Sequence, residues 1–319
     1  MARYELMKAI EPGYLSQDIT KVPGWHGLVA WDVLFNNMTT GLFLFSAVGE
    51  LAAPGLLGTV AKVAYPLAFV FLLTDLLLVS DLGDPLRFHH MLRVFKPSSP
   101  MSLGMWSLTL YSLPLTLIVA IEAAQWLGLL PQGSMAVEWI RKLAVIVCLV
   151  PAFGSVAYKG VLFSTCSQPG WKDARWLGGF MANSALALGS AQLLVLTVLM
   201  GEARAAASLQ TIVAVLIVLN LIPTGFVFLE IRETLARVYG DRQIFRALAF
   251  VVVTGTLGPM ALLLAAGGDT WRLGPLPAGV LCSVGAAALI VVGGFAARSL
   301  FLKIPHASHE KGLSGSKSG

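Results

Sequence analysis

The chain has 319 residues, of which 56% are hydrophobic and only 12% charged, with a mean hydropathy of +0.78. A soluble domain carries about 25% charged residues, so this composition excludes a free-standing globular enzyme and points to an all-α polytopic membrane protein. The net charge of +5 and pI near 9.2 do not indicate nucleic acid, because the basic residues lie between apolar runs, as in the Lys and Arg bias that orients membrane proteins.

Residues 1–27 form a mixed-charge segment that reads as interfacial. No small-residue cleavage site follows the first apolar run, which is therefore expected to be a retained helix. Eight runs of about 20 residues follow, at roughly 28–50, 57–80, 101–127, 139–163, 176–199, 206–230, 244–267 and 276–301. Each can cross about 30 Å of hydrocarbon as a helix, the form that satisfies every backbone group within one segment. Eight transmembrane helices suggest two four-helix bundles, residues 28–163 and 164–303, before a polar Gly/Ser-rich tail, 304–319, expected to be disordered. Pro151, Pro223 and Pro259 should kink the fourth, sixth and seventh helices. Small residues spaced four apart, such as Gly178 and Ala182, Ala185 and Gly189, and Ala278, Cys282 and Ala286, should let helix backbones approach closely.

Polar groups inside the spans are few. Asp32 and Asn36 lie four apart on the first helix, with Thr40 one turn further and Thr39 beside it, so they share a face turned toward protein or water. In the second helix Asp75 has apolar neighbours on both sides, a setting costly enough for an ionisable group to mark function. Glu50, Glu122 and Glu138 fall toward the opposite surface, where Glu50 and Glu138 read as interfacial. Tyr158 ends the fourth helix. Because successive helices alternate in direction, Asp32, Asp75 and Tyr158 belong to one membrane surface. A proton-exchanging carboxyl and a phenol there suit a quinone, whose carbonyls need donors and protons on reduction. Asp32, Asp75 and Glu122 could then form a proton path, with Thr74, Ser107 and Tyr111 bridging the gap.

The five histidines, His26, His89, His90, His306 and His309, all fall at a rim, in a loop or in the tail. That distribution disfavours haem held between helices, and no His/Asp/Glu set has metal-ligand spacing inside a span. Cys148, Cys166 and Cys282 form no paired motif. No Gly-rich phosphate loop precedes a Lys-Ser/Thr pair, which disfavours an ATP-driven pump.

The connection after the second helix reads Asp81-Leu82-Gly83-Asp84-Pro85-Leu86-Arg87 and runs on to Ser99-Pro100-Met101-Ser102-Leu103-Gly104-Met105-Trp106. The fourth helix ends on Tyr158, Gly160, Leu162 and Ser164. These two motifs, in this order, resemble those of the polysulfide reductase membrane-anchor family (NrfD/PsrC), with its DLGRP-like turn, SPMSxGxW entry to helix three and YxGxLxS ending of helix four. The chain departs from that pattern at Asp84, where arginine is usual, and at Thr39-Thr40-Gly41, where relatives have a glycine-rich patch. Lys159 stands where a small or polar residue follows the tyrosine.

The resemblance implies a quinone-binding membrane anchor with no substrate-site catalytic residues and no haem or metal of its own. It implies menaquinone or ubiquinone as cofactor, a ferredoxin-like iron–sulfur partner, and beyond that a molybdenum-dependent or multihaem catalytic subunit. The location implied is the prokaryotic cytoplasmic membrane. Asp32 and Tyr158 match the family's quinone-site positions, and His26 and Asn36 join them as candidate contacts. Asp81, Arg87, Arg93 and Trp106 become candidates for partner docking. A proton- or cation-coupled secondary transporter, using Asp32 and Asp75, is the alternative. Of the 22 Lys and Arg, 17 fall on the side of both termini; Lys62, Arg141, Lys142, Arg204 and Arg272 fall on the other. This bias favours cytoplasmic termini, whereas many relatives dock extracytoplasmic enzymes at the same face.

Overall fold

The computed structural model describes residues 23–25, 27–77, 89–90, 92–267, 272–273 and 276–316. His26, Asp81 and Arg87 lie outside these. Among the described residues eight helices are long and apolar enough to cross a membrane. They are α1 (Gly27–Ala52), α2 (Pro54–Leu77), α3 (Pro100–Trp126), α4 (Met135–Ser164), α5 (Leu177–Leu199), α6 (Ala203–Val238), α7 (Asp241–Ala266) and α8 (Ala278–Ser316). A two-residue antiparallel pair, β1 (Arg272–Leu273) and β2 (Leu276–Pro277), lies between α7 and α8. The chain is a multi-pass integral membrane protein.

Local sequence explains the helix boundaries. Ser99 caps α3 by accepting from the Ser102 N–H at 3.4 Å, with Pro100 in the first turn, where its missing N–H costs nothing. The Ser102 hydroxyl accepts from Lys96 N at 3.0 Å and donates to Val94 O at 3.2 Å. The Ser-Pro-Met-Ser motif is thus the device that folds the preceding loop onto the helix. The expected kinks take two forms. α6 is interrupted at Asn220, just before Pro223, and α7 widens into a π-turn over Val253–Leu257, just before Pro259. α4 stays helical through Pro151.

Packing is organised around α1, which lies against α2, α4, α5 and α8. Gly41 meets the backbone of Ala185 and Gly189 so closely that a Cβ on either glycine would collide with the other helix. Gly160 sits on Gly178 and Gly293 on Gly255, where a Cβ on Gly160 or Gly293 would collide with the facing backbone. Lipid gives helices no hydrophobic drive to associate, and such close backbone approach supplies the dispersion contacts instead. One buried apolar cluster runs through both halves, from Leu34 and Leu42 in α1 to Ala286 and Ile290 in α8. A second gathers at the surface bearing the termini, where Trp171 donates its indole N–H to Phe301 O at 3.0 Å. Large apolar side chains such as Leu113, Val150 and Leu264 point outward into the lipid layer. Trp126 and Trp139 are exposed at the opposite rim, as an aromatic belt requires.

Two boundaries differ from the sequence expectation. α6 runs on to Val238, and the tail expected to be disordered from residue 304 continues α8 as far as Ser316. At 1.5 Å per residue α8 is about 58 Å long, far more than the bilayer core. Buried Ile304 and a 2.9 Å hydrogen bond between the His306 ring and Trp25 O hold this extension. A polar composition predicts weak burial overall and misses such isolated anchors.

Candidate functional site

Asp32, Asn36 and Asp75, singled out from the sequence, converge on a residue the sequence reading treated only as a departure, Lys159. Its ammonium lies 2.7 Å from Asp32 Oδ2 and 3.4 Å from Asp75 Oδ1, and also donates to Asp32 O at 3.2 Å. Asn36 Nδ2 donates to the other Asp75 oxygen at 3.3 Å and to Ser155 Oγ at 3.0 Å. Helix periodicity assembles the group: Asp32 and Asn36 are one turn apart on α1, Ser155 and Lys159 one turn apart on α4, and Asp75 comes from α2. The Lys159 and Asp75 side chains are 5% and 1% exposed, Asp32 30%. The cluster therefore has a sealed interior and one carboxyl open at the surface of the termini. Two carboxyls share one ammonium, so one added proton makes the triad electrically neutral.

Tyr158 adjoins this triad, with the Lys159 ammonium 6.0 Å from its ring centroid. The ring packs directly on Gly104, where any Cβ would overlap it. The glycine of the helix-three motif is thus the seat for the tyrosine of the helix-four motif. Among the described residues the Tyr158 hydroxyl makes no hydrogen bond, and buried Asn36 Oδ1 has none either. One free donor and one free acceptor beside a carboxyl match a group that alternates between carbonyl and hydroxyl. Trp31, 40% exposed and next to Asp32 in sequence, stacks on Phe35 at 6.0 Å and packs on Phe295 at 4.1 Å.

Further along α1 the buried polar residues continue. Thr39 Oγ1 pairs with the Tyr111 hydroxyl at 2.7 Å and lies 2.6 Å from Ala68 O. Phe43 then lies between two tyrosines, 5.5 Å from Tyr111 and 5.7 Å from Tyr65. Beyond it, Tyr65 donates to Glu50 at 2.6 Å. Glu50 was expected at the interface; it is 6% exposed and clasped by both terminal nitrogens of Arg141. A carboxylate this close to a guanidinium can be buried because two directional hydrogen bonds replace its hydration. Arg141 also reaches Glu138 at 3.1 Å and Glu122 at 3.5 Å, and Lys62 reaches Glu138 at 3.4 Å. Glu122 thus belongs to a far cluster of three carboxyls and two cations. Asp32 and Glu50 are separated by about 27 Å along α1, nearly the depth of the hydrocarbon layer.

Of the expected bridging hydroxyls, Tyr111 is in line between the clusters. Thr74 is not: its hydroxyl bonds back to Val70 O on an exposed face. Ser107 packs against Gly154. Arg93 is exposed, beside Val94 and Phe95, at 69% and 56%. Trp106 is half-buried with its ring edge on Phe95 and its indole N–H unpaired among the described residues. Among the described residues no three His, Cys, Asp or Glu side chains could hold a metal ion.

The family model described as polysulphide reductase, NrfD, matches residues 17–304 of the chain. No curated protein matches it detectably.

Proposed function

The chain belongs to the NrfD family, membrane subunits of quinone-linked oxidoreductase complexes, and from that premise we propose that it exchanges electrons between the quinone pool and an iron–sulfur subunit. The observation that carries this reading is the Asp32–Lys159–Asp75 triad beside a Tyr158 hydroxyl with no partner among the described residues. Tyr158 donates to a quinone carbonyl, Asn36 Oδ1 accepts from a quinol hydroxyl, and Asp32 exchanges the proton with the surface. Trp31 and Phe35, stacked at 6.0 Å, would supply aromatic surface for such a head group. A bound quinone supplies two-electron, two-proton chemistry, which the protein couples to Asp32 and Asp75. Lys159 holds those carboxyls in place and offsets their charge until a proton arrives.

The exposed stretch around Arg93, Val94, Phe95 and Lys96 offers basic and apolar groups for the iron–sulfur partner. A proton route leads from the triad through Thr39 and Tyr111, past Phe43, to Tyr65 and the Glu50–Arg141–Glu122 cluster. In a transporter the charged groups would gather at the bilayer midplane, whereas here they sit toward its two ends. Lys159, Arg298 and Arg141 are buried and so are poor witnesses to topology. Without them 15 basic residues remain on the termini side against 4 opposite, which supports cytoplasmic termini.

The test is quinol turnover by the purified complex. Tyr158→Phe, which removes one donor, should slow it by ~10²-fold, and Asp32→Asn should slow it too. Wild-type kinetics in both variants would reject the site.

A further inference from the structure

Among the described residues Lys159, Arg141 and Arg298 are buried cations. Lys159 and Arg141 are each held by carboxylates, whereas Arg298, 1% exposed, meets none among the described residues. Its Nη1 donates to Gly294 O at 2.7 Å and its Nη2 to Ser184 Oγ at 3.2 Å. Its Nε has no partner among the described residues. The guanidinium carbon lies 5.8 Å from the Phe180 ring centroid, a contact that offsets only part of a full charge. A guanidinium does not shed its proton inside a protein. Buried without a counter-charge, it is among the costliest groups an interior can hold.

A small cavity of about 30 Å³ adjoins this arginine between α5, α6, α7 and α8. Ser184 and Gly294, which bond Arg298, line it, and so does Phe180. Both helix irregularities open onto it as well, α6 at Asn220 and the π-turn of α7 at Gly255 and Thr256. Its wall offers two unused donors. Ser184 Oγ accepts from Arg298, and its own proton has no acceptor among the described residues. Asn183 Nδ2 donates to Asn220 Oδ1 at 3.1 Å, which fixes that amide and leaves its Nδ2 without an acceptor among the described residues. Thr224 and Thr256 spend their protons on Asn220 O at 2.6 Å and Ile217 O at 3.5 Å. No carboxylate lines the cavity.

We propose that this cavity binds one small monovalent anion, a halide such as chloride, as the counter-ion of Arg298. Water would satisfy the two donors but leave the charge unmatched. The volume admits one or two water-sized particles, too few for a phosphate or a lipid head group. Arg298 stands behind Ser184, so an anion that accepts from the Ser184 hydroxyl at an ordinary distance lies within about 6 Å of Nη2. At that range, away from water, the attraction is little screened. The ion would tie α5, through Ser184, to the break in α6 at Asn220. The site is independent of the quinone reading, since no residue of the triad takes part.

Thermal unfolding of the purified full chain, prepared in sodium gluconate and titrated with sodium chloride at constant ionic strength, tests this. The midpoint should rise saturably by ~3 °C or more, and sodium bromide should act in the same way. Crystals grown in sodium bromide should show an anomalous peak in the cavity beside Ser184. Ser184→Ala deletes one donor to the ion and should raise the half-saturating chloride concentration at least ~10-fold. Arg298→Gln should abolish the response, and Ser184→Ala decides the matter even if Arg298→Gln fails to fold. A wild type no more stable in chloride than in gluconate, a cavity without bromide, or an unchanged half-saturating concentration in Ser184→Ala would each overturn the proposal.

Discussion

Replacing Lys159 by Met removes the one cation between Asp32 and Asp75 while keeping most of the volume. Asp32, 30% exposed, can turn to water and should contribute little, as surface pairs do, about 0–1 kcal/mol. Asp75, 1% exposed, has no such escape, and breaking a buried pair costs about 3–5 kcal/mol. There is also a ceiling, because an orphaned carboxylate can take a proton instead. Neutralising it costs about 1.4 kcal/mol for each unit by which the pH exceeds the unfolded-state value near 3.9, or about 4 kcal/mol at pH 7 and about 1.5 at pH 5. The sign follows: the penalty is largest at high pH and is lost as the pH falls toward that value. The assay is reversible unfolding by sodium dodecyl sulfate in mixed micelles at both pH values, on wild type, Lys159→Met, Asp75→Asn and the double variant. Lys159→Met should lose ~3–4 kcal/mol at pH 7 and ~1–1.5 at pH 5. The double variant should lie within ~1 kcal/mol of Asp75→Asn alone, because the charge that suffered is gone. A stable Lys159→Met, a penalty equal at the two pH values, or an additive cycle would refute a triad held together by its ammonium.

Three other outcomes follow from the same geometry. Gly104→Val, by pushing the Tyr158 ring off its seat, should lower quinol turnover by at least ~10-fold, whereas Gly179→Ala, with only Trp176 ring atoms 3.5 Å or more away, should leave it unchanged. Arg141→Leu should destabilise the chain by ~3–5 kcal/mol in the same unfolding assay, because Glu50 is buried against it, whereas Arg204→Leu on the exposed end of α6 should cost under ~0.5. Cys166 lies between α4 and α5 with its thiol 2.9 Å from Phe163 O, and burial pushes that thiol above its usual range. Impermeant maleimide should therefore label it slowly at pH 7 and ~10-fold faster per pH unit up to its titration. Labelling only from the cytoplasmic side of sealed vesicles would support cytoplasmic termini, and labelling only from outside would reverse the orientation.

The parts of the fold that were legible from sequence are those set by one-dimensional physics. A bilayer needs about 20 apolar residues per crossing, so all eight spans can be read from composition. Proline's missing N–H marks α6 and α7 for irregularity, and the Ser-Pro-Met-Ser run carries its own capping chemistry. Asp32, Asn36 and Asp75 were visible because ionisable and amide groups in apolar runs are expensive. What balances them was not. Lys159 lies six residues from the end of α4 and Arg141 seven residues into it, positions at which a cation usually extends toward the interface. Whether such a side chain instead turns inward depends on which helices lie beside it and how each is rotated. A single sequence does not hold that information in its hydropathy. Each cation did leave a faint trace, Ser155 at i−4 from Lys159 and Glu138 at i−3 from Arg141, one polar stripe on an otherwise apolar helix.

The buried cations also alter how charge should be read for topology. The positive-inside bias acts on loops as they are inserted, and a lysine or arginine that ends in a protein interior says nothing about where its loop resides. Arg298 is the extreme case: 1% exposed, it donates to Gly294 O at 2.7 Å and Ser184 Oγ at 3.2 Å and has no carboxylate partner among the described residues. Removing such residues changes the count from 17 against 5 to 15 against 4 and leaves the asymmetry intact. The connection after α2 also carries Arg93, in the stretch proposed to meet the iron–sulfur subunit. Basic residues retained for binding would persist whichever way the chain is inserted. The Cys166 experiment is therefore the stronger test of sidedness, since it reads the position of a loop and not its charge.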